Sequence, residues 1–350
     1  MTTATAIEQA EMRVAMTRKE AVGRVLGFAL LGLVFVWIAA NLVASPTQFF
    51  NSLLFGIGNG ALYALIALGY TLVYGIIELI NFAHGDLFML ATVFSGFMMV
   101  YWLGADEPGP GSWAKMLLTL LAAMAFGAIV NVLIERVAYR RLRRAPKLAA
   151  LITAVGMSFI LQWVGLRWNG SAPRLWPTVV PDGGIEFGEV TLRYSTIIVV
   201  TFTIPVLLML TYVVQRTKQG RAMRATAQDQ DAARLMGINV DRTIAFTFAL
   251  GGAMAGAAGL LYLEAVGTTR YDAGFHLGLI AFTAAVLGGI GNLAGAVLGG
   301  LLIGVIQGLN DGAPYGFGQQ WSQTVVFSIL IMVMVFKPTG ILGQPTVEKV

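Results

Sequence analysis

Apolar runs of about twenty residues, cut by short polar or basic segments, fill almost the whole chain. A helix needs about 20 mostly apolar residues to cross the hydrocarbon core of a bilayer. On that measure the pattern predicts spans near 25–44, 50–76, 86–103, 114–134, 148–166, 196–214 and 244–264. An apolar, glycine-rich stretch follows at 279–309, and a last span at about 321–336. The run from residue 25 is too long for a typical signal-peptide core, so it reads as an uncleaved first span. A polar arm at 1–24, a transmembrane domain at 25–337 and a short tail at 338–350 complete the expected organisation.

Lys and Arg fall between the runs in a way that sets orientation. The segment 135–147 holds Arg136, Arg140, Arg141, Arg143, Arg144 and Lys147, and 215–243 holds Arg216, Lys218, Arg221, Arg224, Arg234 and Arg242. Positively charged loops resist translocation, so both are expected in the cytoplasm, with the two termini on the same side. The stretches 104–113 and 310–320 carry acids and no Lys or Arg, and read as external. So does the long mixed loop 167–195.

Parity then constrains the glycine-rich stretch. If 215–243 and Lys337 are both inside, 279–309 must go in and come back. At a helical rise of about 1.5 Å per residue, a stretch of that length cannot make two full crossings and a turn. One limb is a half-helix or the pair is re-entrant. The interruption falls at Gly288-Gly289-Ile290-Gly291-Asn292, where helix-weakening residues gather. A similar break lies at Asn81–Asp86. Paired interruptions, one in each half, are the pattern of a transporter built from internal repeats. The expected fold is therefore an all-α integral membrane protein. It has about eight full transmembrane helices plus broken or re-entrant glycine-rich segments, and an internal repeat.

Composition supports lipid as the main solvent. The chain is 57% hydrophobic and only 12% charged. That is about half the charged share of a soluble domain. The net charge of +5 does not point to nucleic acid, because the basic residues sit in loops between spans. With no cysteine and only His84 and His276, thiolate chemistry is excluded and a histidine-based metal site has almost nothing to draw on. No Gly-Lys dipeptide occurs, so the chain cannot itself be a P-loop ATPase.

Three segments carry candidate chemistry. In 71–90, the polar groups Glu78, Asn81, His84 and Asp86, with Phe82 and Gly85 among them, sit between apolar neighbours. Ionisable groups at membrane depth are costly and usually face the bundle interior, so these residues are candidates to line a translocation pathway. A plainer reading makes 81–86 an interfacial turn with Asp86 capping the next helix. Gly288, Gly289, Gly291 and Asn292 are pathway candidates on the second break. Gly291, Gly295 and Gly299 equally suit close helix packing, and so do Gly252, Gly256 and Gly259. The cytoplasmic stretch Gly220–Asn239, GRAMRATAQDQDAARLMGIN, reads as one short alanine-rich helix from Arg221 to Met236, stopped by Gly237. Met223 and Ala227 share a face, whereas Leu235 and Met236 point elsewhere. Docking into a groove on a partner protein is its functional reading; lying on the lipid surface is the other.

At these residues the chain resembles the permease subunits of branched-chain amino-acid (leucine/isoleucine/valine) ABC importers. The resemblance rests on ALYALIALGYTLVYGIIELINFAHGD at 61–86, GRAMRATAQDQDAARLMGINVDRTIAFTF at 220–248, AFTAAVLGGIGNLAGAVLGG at 281–300 and FKPTGILGQPTVEKV at 336–350. It implies a multi-pass permease domain in a bacterial inner membrane and no enzymatic role. The implied partners are a second related permease, two cytoplasmic ATPases that carry ATP and Mg²⁺, and a periplasmic amino-acid-binding protein. The run from Asp231 to Gly237 is similar to the E-A-A-x-x-x-G coupling motif of importers, with Asp231 where Glu is common. Carried over, Asp231, Ala232, Ala233 and Gly237 would dock on the ATPase, and Arg221 and Arg224 belong to the same coupling segment. Related permeases move urea or short amides, and an ion-coupled carrier acting alone or a membrane-embedded enzyme using His84 are the competing classes.

Overall fold

The computed structural model describes residues 32–343 apart from Asp106, Pro110 and Arg144. The arm expected at 1–24, the start of the first span and the tail beyond Gly343 lie outside the described residues. Within them the chain is a bundle of helices. These are α1 (Gly32–Ala44), α2 (Pro46–Ile77), α3 (Ala83–Phe97), α4 (Ser112–Ile134), α5 (Lys147–Asn169) and α6 (Tyr194–Arg216). Then come α7 (Lys218–Gln228), α8 (Gln230–Leu235), α9 (Val240–Val266), α10 (Ala273–Gly288), α11 (Leu293–Gly312) and α12 (Ser322–Phe336). Wider π-type turns extend α3 to Trp102 and α4 to Tyr139. Eight of these segments are long and apolar enough to cross a membrane.

The glycine-rich stretch resolves as two unequal limbs. The first, α10, has 16 residues and the second, α11, has 20. At a rise of about 1.5 Å per residue, only α11 has the length of a full crossing. The apolar pattern of 279–309 underestimated the element, since helical residues extend to Ala273 on one side and Gly312 on the other.

Small residues decide which helices are central. α2, α3 and α9 are mostly buried within the bundle, whereas α4, α5, α6 and α12 turn most of their apolar surface outward. With no hydrophobic drive between helices in lipid, close backbone approach supplies the attraction. α2 and α11 run antiparallel along such a seam: a Cβ on Gly60 would lie 2.8 Å from Leu301 Cα, and one on Gly300 2.6 Å from Ala64 Cα. The packing reading of α9 is borne out by the same geometry. A Cβ on Gly256 would lie 2.8 Å from Met124 Cα, and one on Gly259 2.8 Å from Thr92 N. Gly299 likewise packs on α10, but Gly291 does not pack: it has open space around it and a φ of +91°, so it serves the turn.

The two ends of the bundle differ. At one, the basic segments meet: Arg143 pairs with Glu135 and, at 2.6 Å, with Asp241, and Arg140 reaches Asp241 at 2.8 Å. At the other, the loop after α5 forms small antiparallel sheets, an addition to the all-helical expectation. β2 (Gly184–Phe187) pairs with β3 (Val190–Arg193) around Gly188 at φ +66°, and β1 (Arg174–Leu175) pairs with β4 (Thr268–Thr269). Arg174 lies over the rings of Trp176 (4.3 Å) and Phe97 (4.9 Å). This attraction of a cation to ring faces fastens that loop to the end of α3.

Candidate functional site

Both predicted breaks lie at the basic end, each joining a helix that arrives there to one that leaves. α2 stops at Glu78, which has a φ of +52° and whose N–H still donates to Tyr74 O at 2.8 Å. A positive φ is uncommon for a residue with a side chain. Asn81 then serves as a strut. Its Nδ2 donates to Asn131 Oδ1 at 3.3 Å, and its Oδ1 accepts from the Tyr139 hydroxyl at 3.1 Å. Asn131 in turn donates to Phe248 O at 2.7 Å, so the network joins the break to α4 and α9. The π-type turn at Glu135–Tyr139 brings Tyr139 into that network.

The remaining residues of this break are packed rather than open. α3 begins at Ala83, so Asp86 lies in its first turn and is not the cap. Its carboxylate instead accepts from Ser158 on α5, which corrects the capping reading: side-chain reach to a neighbouring helix won over the helix's own amides. His84 is fully buried, its ring 4.9 Å from that of Tyr70, and it lies over the bare backbone of Gly69. Neither ring nitrogen of His84 has a hydrogen-bond partner among the described residues. Gly85 faces α10, where a Cβ would come within 2.8 Å of Gly278 Cα. Phe82 is half-buried, its ring 6.1 Å from that of Phe282.

The second break is held from outside. Asn292 caps α11 by accepting from Gly295 N at 3.1 Å, and its Nδ2 donates to Leu342 O at 2.8 Å. Such a side-chain acceptor satisfies one of the free amides at a helix start. Ile341 N and Leu342 N donate to Leu287 O (2.8 Å) and Gly288 O (3.0 Å). The end of a helix leaves carbonyls of this kind without helical partners. Gly289, at φ +104°, lets the chain at Gly343 come close. Nothing in the local pattern signals this clasp, although it uses the TGILG segment singled out in the sequence.

Gly291 and Asn292 also line a cavity of about 690 Å³ with Thr71 and Gly75 of α2, Gln215 of α6, and Met223 and Arg224 of α7. One of the two breaks therefore opens on a cavity walled by the cytoplasm-type segment. Among the first break's candidates, Asn81, His84, Gly85 and Asp86 are all buried.

That segment is two helices, not one. Asp229 leaves the helical region at φ −157° and caps α8, its Oδ1 accepting from Asp231 N (2.8 Å) and Ala232 N (3.0 Å). The aspartate's preference for a cap outweighed the helix propensity of the flanking alanines. Thr217 caps α7 through Gly220 N at 3.1 Å, and Arg224 reaches back to Val214 O at the end of α6. A cation meets a helix C-terminus favourably. Met223 is buried within the bundle rather than offered to a partner. Gly237, at φ +81°, ends the segment as expected. Arg221, Asp231, Ala232 and Gly237 are exposed; Ala233 is buried. Leu235 and Met236, 90% and 82% exposed, form an apolar tip that was not among the candidate residues. Their departure from the Met223 face was the signal.

Many apolar spans, a seam of close-packed glycines and a protruding short helix at one end define a multi-pass membrane protein of the transport type. A family model described as "Branched-chain amino acid transport system / permease component" matches residues 52–335, and the chain belongs to this family. It is 42% identical over 310 residues to the high-affinity branched-chain amino acid transport system permease protein BraD of Pseudomonas aeruginosa, covering 87% of this chain and 98% of that protein. It is 40% identical over 312 residues to the corresponding permease LivH of Escherichia coli strain K12 (87% and 97% covered). The autoinducer 2 import system permease LsrC of Shigella flexneri is 25% identical over 311 residues, 88% of this chain and 80% of that protein.

Proposed function

We propose that the chain is the membrane permease subunit of an ATP-driven importer of branched-chain amino acids. The observation that carries this is the alignment with BraD over nearly its whole length at 42% identity, which leaves little of the relative unmatched. In this reading a second, related permease completes the pathway, two ATPases supply ATP and Mg²⁺ chemistry, and a periplasmic binding protein delivers substrate. The concentration of Lys and Arg at one end favours that end as cytoplasmic in an inner membrane, with both termini there.

The exposed tip Leu235-Met236-Gly237, with Asp231 and Ala232 beside it, suits an ATPase cleft. An apolar knob in a pocket supplies affinity, and the adjacent charges supply register. Arg221 and Arg224 lie on the preceding helix α7, Arg221 exposed and Arg224 bound to Val214 O. The cavity beside α7 supports a coupling route, because a push on α7 changes the distance between Met223 and the Gly291–Asn292 turn. Asn81, His84 and Asp86 belong to the pathway only if that push opens their buried setting. The test is leucine uptake into proteoliposomes holding the complete transporter. ATP-dependent uptake that disappears with inactive ATPases is expected. Ion-driven leucine uptake by this chain alone, or ATP-dependent uptake of urea but not leucine, would overturn the reading.

A further inference from the structure

Glu264 sits near the end of α9 opposite the basic segments, buried to 3% exposure. Its Oε2 accepts from Val179 N (2.9 Å) and Val180 N (3.2 Å), tying the long loop to the helix. Its Oε1 has no partner among the described residues. A buried carboxylate oxygen without a donor is expensive, and one tie to a loop would be served as well by an amide or a hydroxyl. Glu264 also lines a cavity of about 490 Å³. Small-molecule sites have volumes of this order. Trp176, Val180 and Val266 stand on its lining, the buried Trp176 indole N–H also without a partner among the described residues, and Asp182 and Arg193 bring charge to the same lining. The Arg193 guanidinium makes no ion pair or hydrogen bond among the described residues. It also lines a second cavity of about 550 Å³ with Asn51 and Asp311, so it stands where the two adjoin.

We infer that this cavity is a docking site for an apolar α-amino-acid zwitterion at the face where substrate enters. Glu264 receives the ammonium, Arg193 receives the carboxylate, and Trp176 and the two valines receive the side chain. The chemistry follows from what is unmet. An ammonium brings the donors that Oε1 lacks, and a carboxylate matches the planar fork of a free guanidinium. The assignment of substrate class rests on the importer reading above.

Glu264→Gln separates a ligand role from a loop-holding one. The amide carbonyl still accepts from Val179 and Val180, while the charge is gone. In proteoliposomes holding the complete transporter, two quantities are read: leucine transported per ATP hydrolysed, and ATPase stimulation by the binding protein. The expected result is about a tenfold fall in leucine per ATP, the scale of one lost charge-assisted contact, with stimulated ATPase and subunit composition unchanged. Arg193→Gln, on a surface strand, is expected to do the same. Unchanged leucine per ATP in either variant overturns the site. So does a parallel loss of ATPase and assembly in Glu264→Gln, which would make the carboxylate a loop anchor only. A wild-type complex that hydrolyses ATP but takes up no leucine removes the importer reading instead, and the substrate class of this cavity with it.

Discussion

The seam between α2 and α11 makes a sharp stability prediction. Ordinary contacts to a Cβ fall at about 3.4–4 Å, but a methyl on Gly60 would meet Leu301 Cα at 2.8 Å and the carbonyl oxygens of Gly300 and Leu301 at 3.1 Å. All three are backbone atoms, so no side chain can swing aside. The helices must separate by roughly half an ångström or more, and overpacking of that kind costs about 1–3 kcal/mol. Alanine also gains about 1 kcal/mol over glycine in a helix, which offsets part of the loss. Gly156 on α5 is the control, because it is exposed and nothing lies within 4 Å of its Cβ position. Gly60→Ala should melt below wild type in detergent, whereas Gly156→Ala should melt at or above it. Gly60→Leu should be worse than Gly60→Ala. If Gly60→Ala and Gly156→Ala melt together, the close approach of α2 and α11 is not what holds the centre of the bundle.

Two other outcomes test the basic end. Asp229→Ala removes the cap of the short helix α8. It should cost about 1 kcal/mol of local stability, lowering ATPase co-purification, while Asp229→Asn keeps an acceptor and should retain it. Equal behaviour of the two variants would mean that the cap is irrelevant to docking. Arg143→Ala leaves Glu135, 1% exposed, without its cation. Breaking a buried pair in this way should destabilise by about 3–5 kcal/mol. A double variant, Arg143→Met with Glu135→Leu, should recover most of that loss in a thermal melt, and failure to recover would argue against the pair as its source.

What could be read from the chain alone was what lipid imposes locally. A bilayer demands long apolar runs, repels Lys and Arg from one side, and tolerates a broken helix only in special places, so spans, basic end and both breaks were legible from composition along the line. Parity left 279–309 either a half-helix limb or a re-entrant pair, and only the structure gave the unequal limbs α10 and α11. The stop at Gly237 followed from glycine's ease at positive φ. Partner choice was not legible. Asn81 meets Asn131 and Tyr139, Asp86 meets Ser158, and Leu342 closes the Gly288–Asn292 turn, all across 50 or more residues. Glu264 meets the loop at Val179 across 85 residues, a contact that no local pattern announces. In water an amphipathic stripe announces which face of a helix turns inward. In lipid both faces are apolar, so sequence could define each helix but only the packed bundle could decide which side chains face one another.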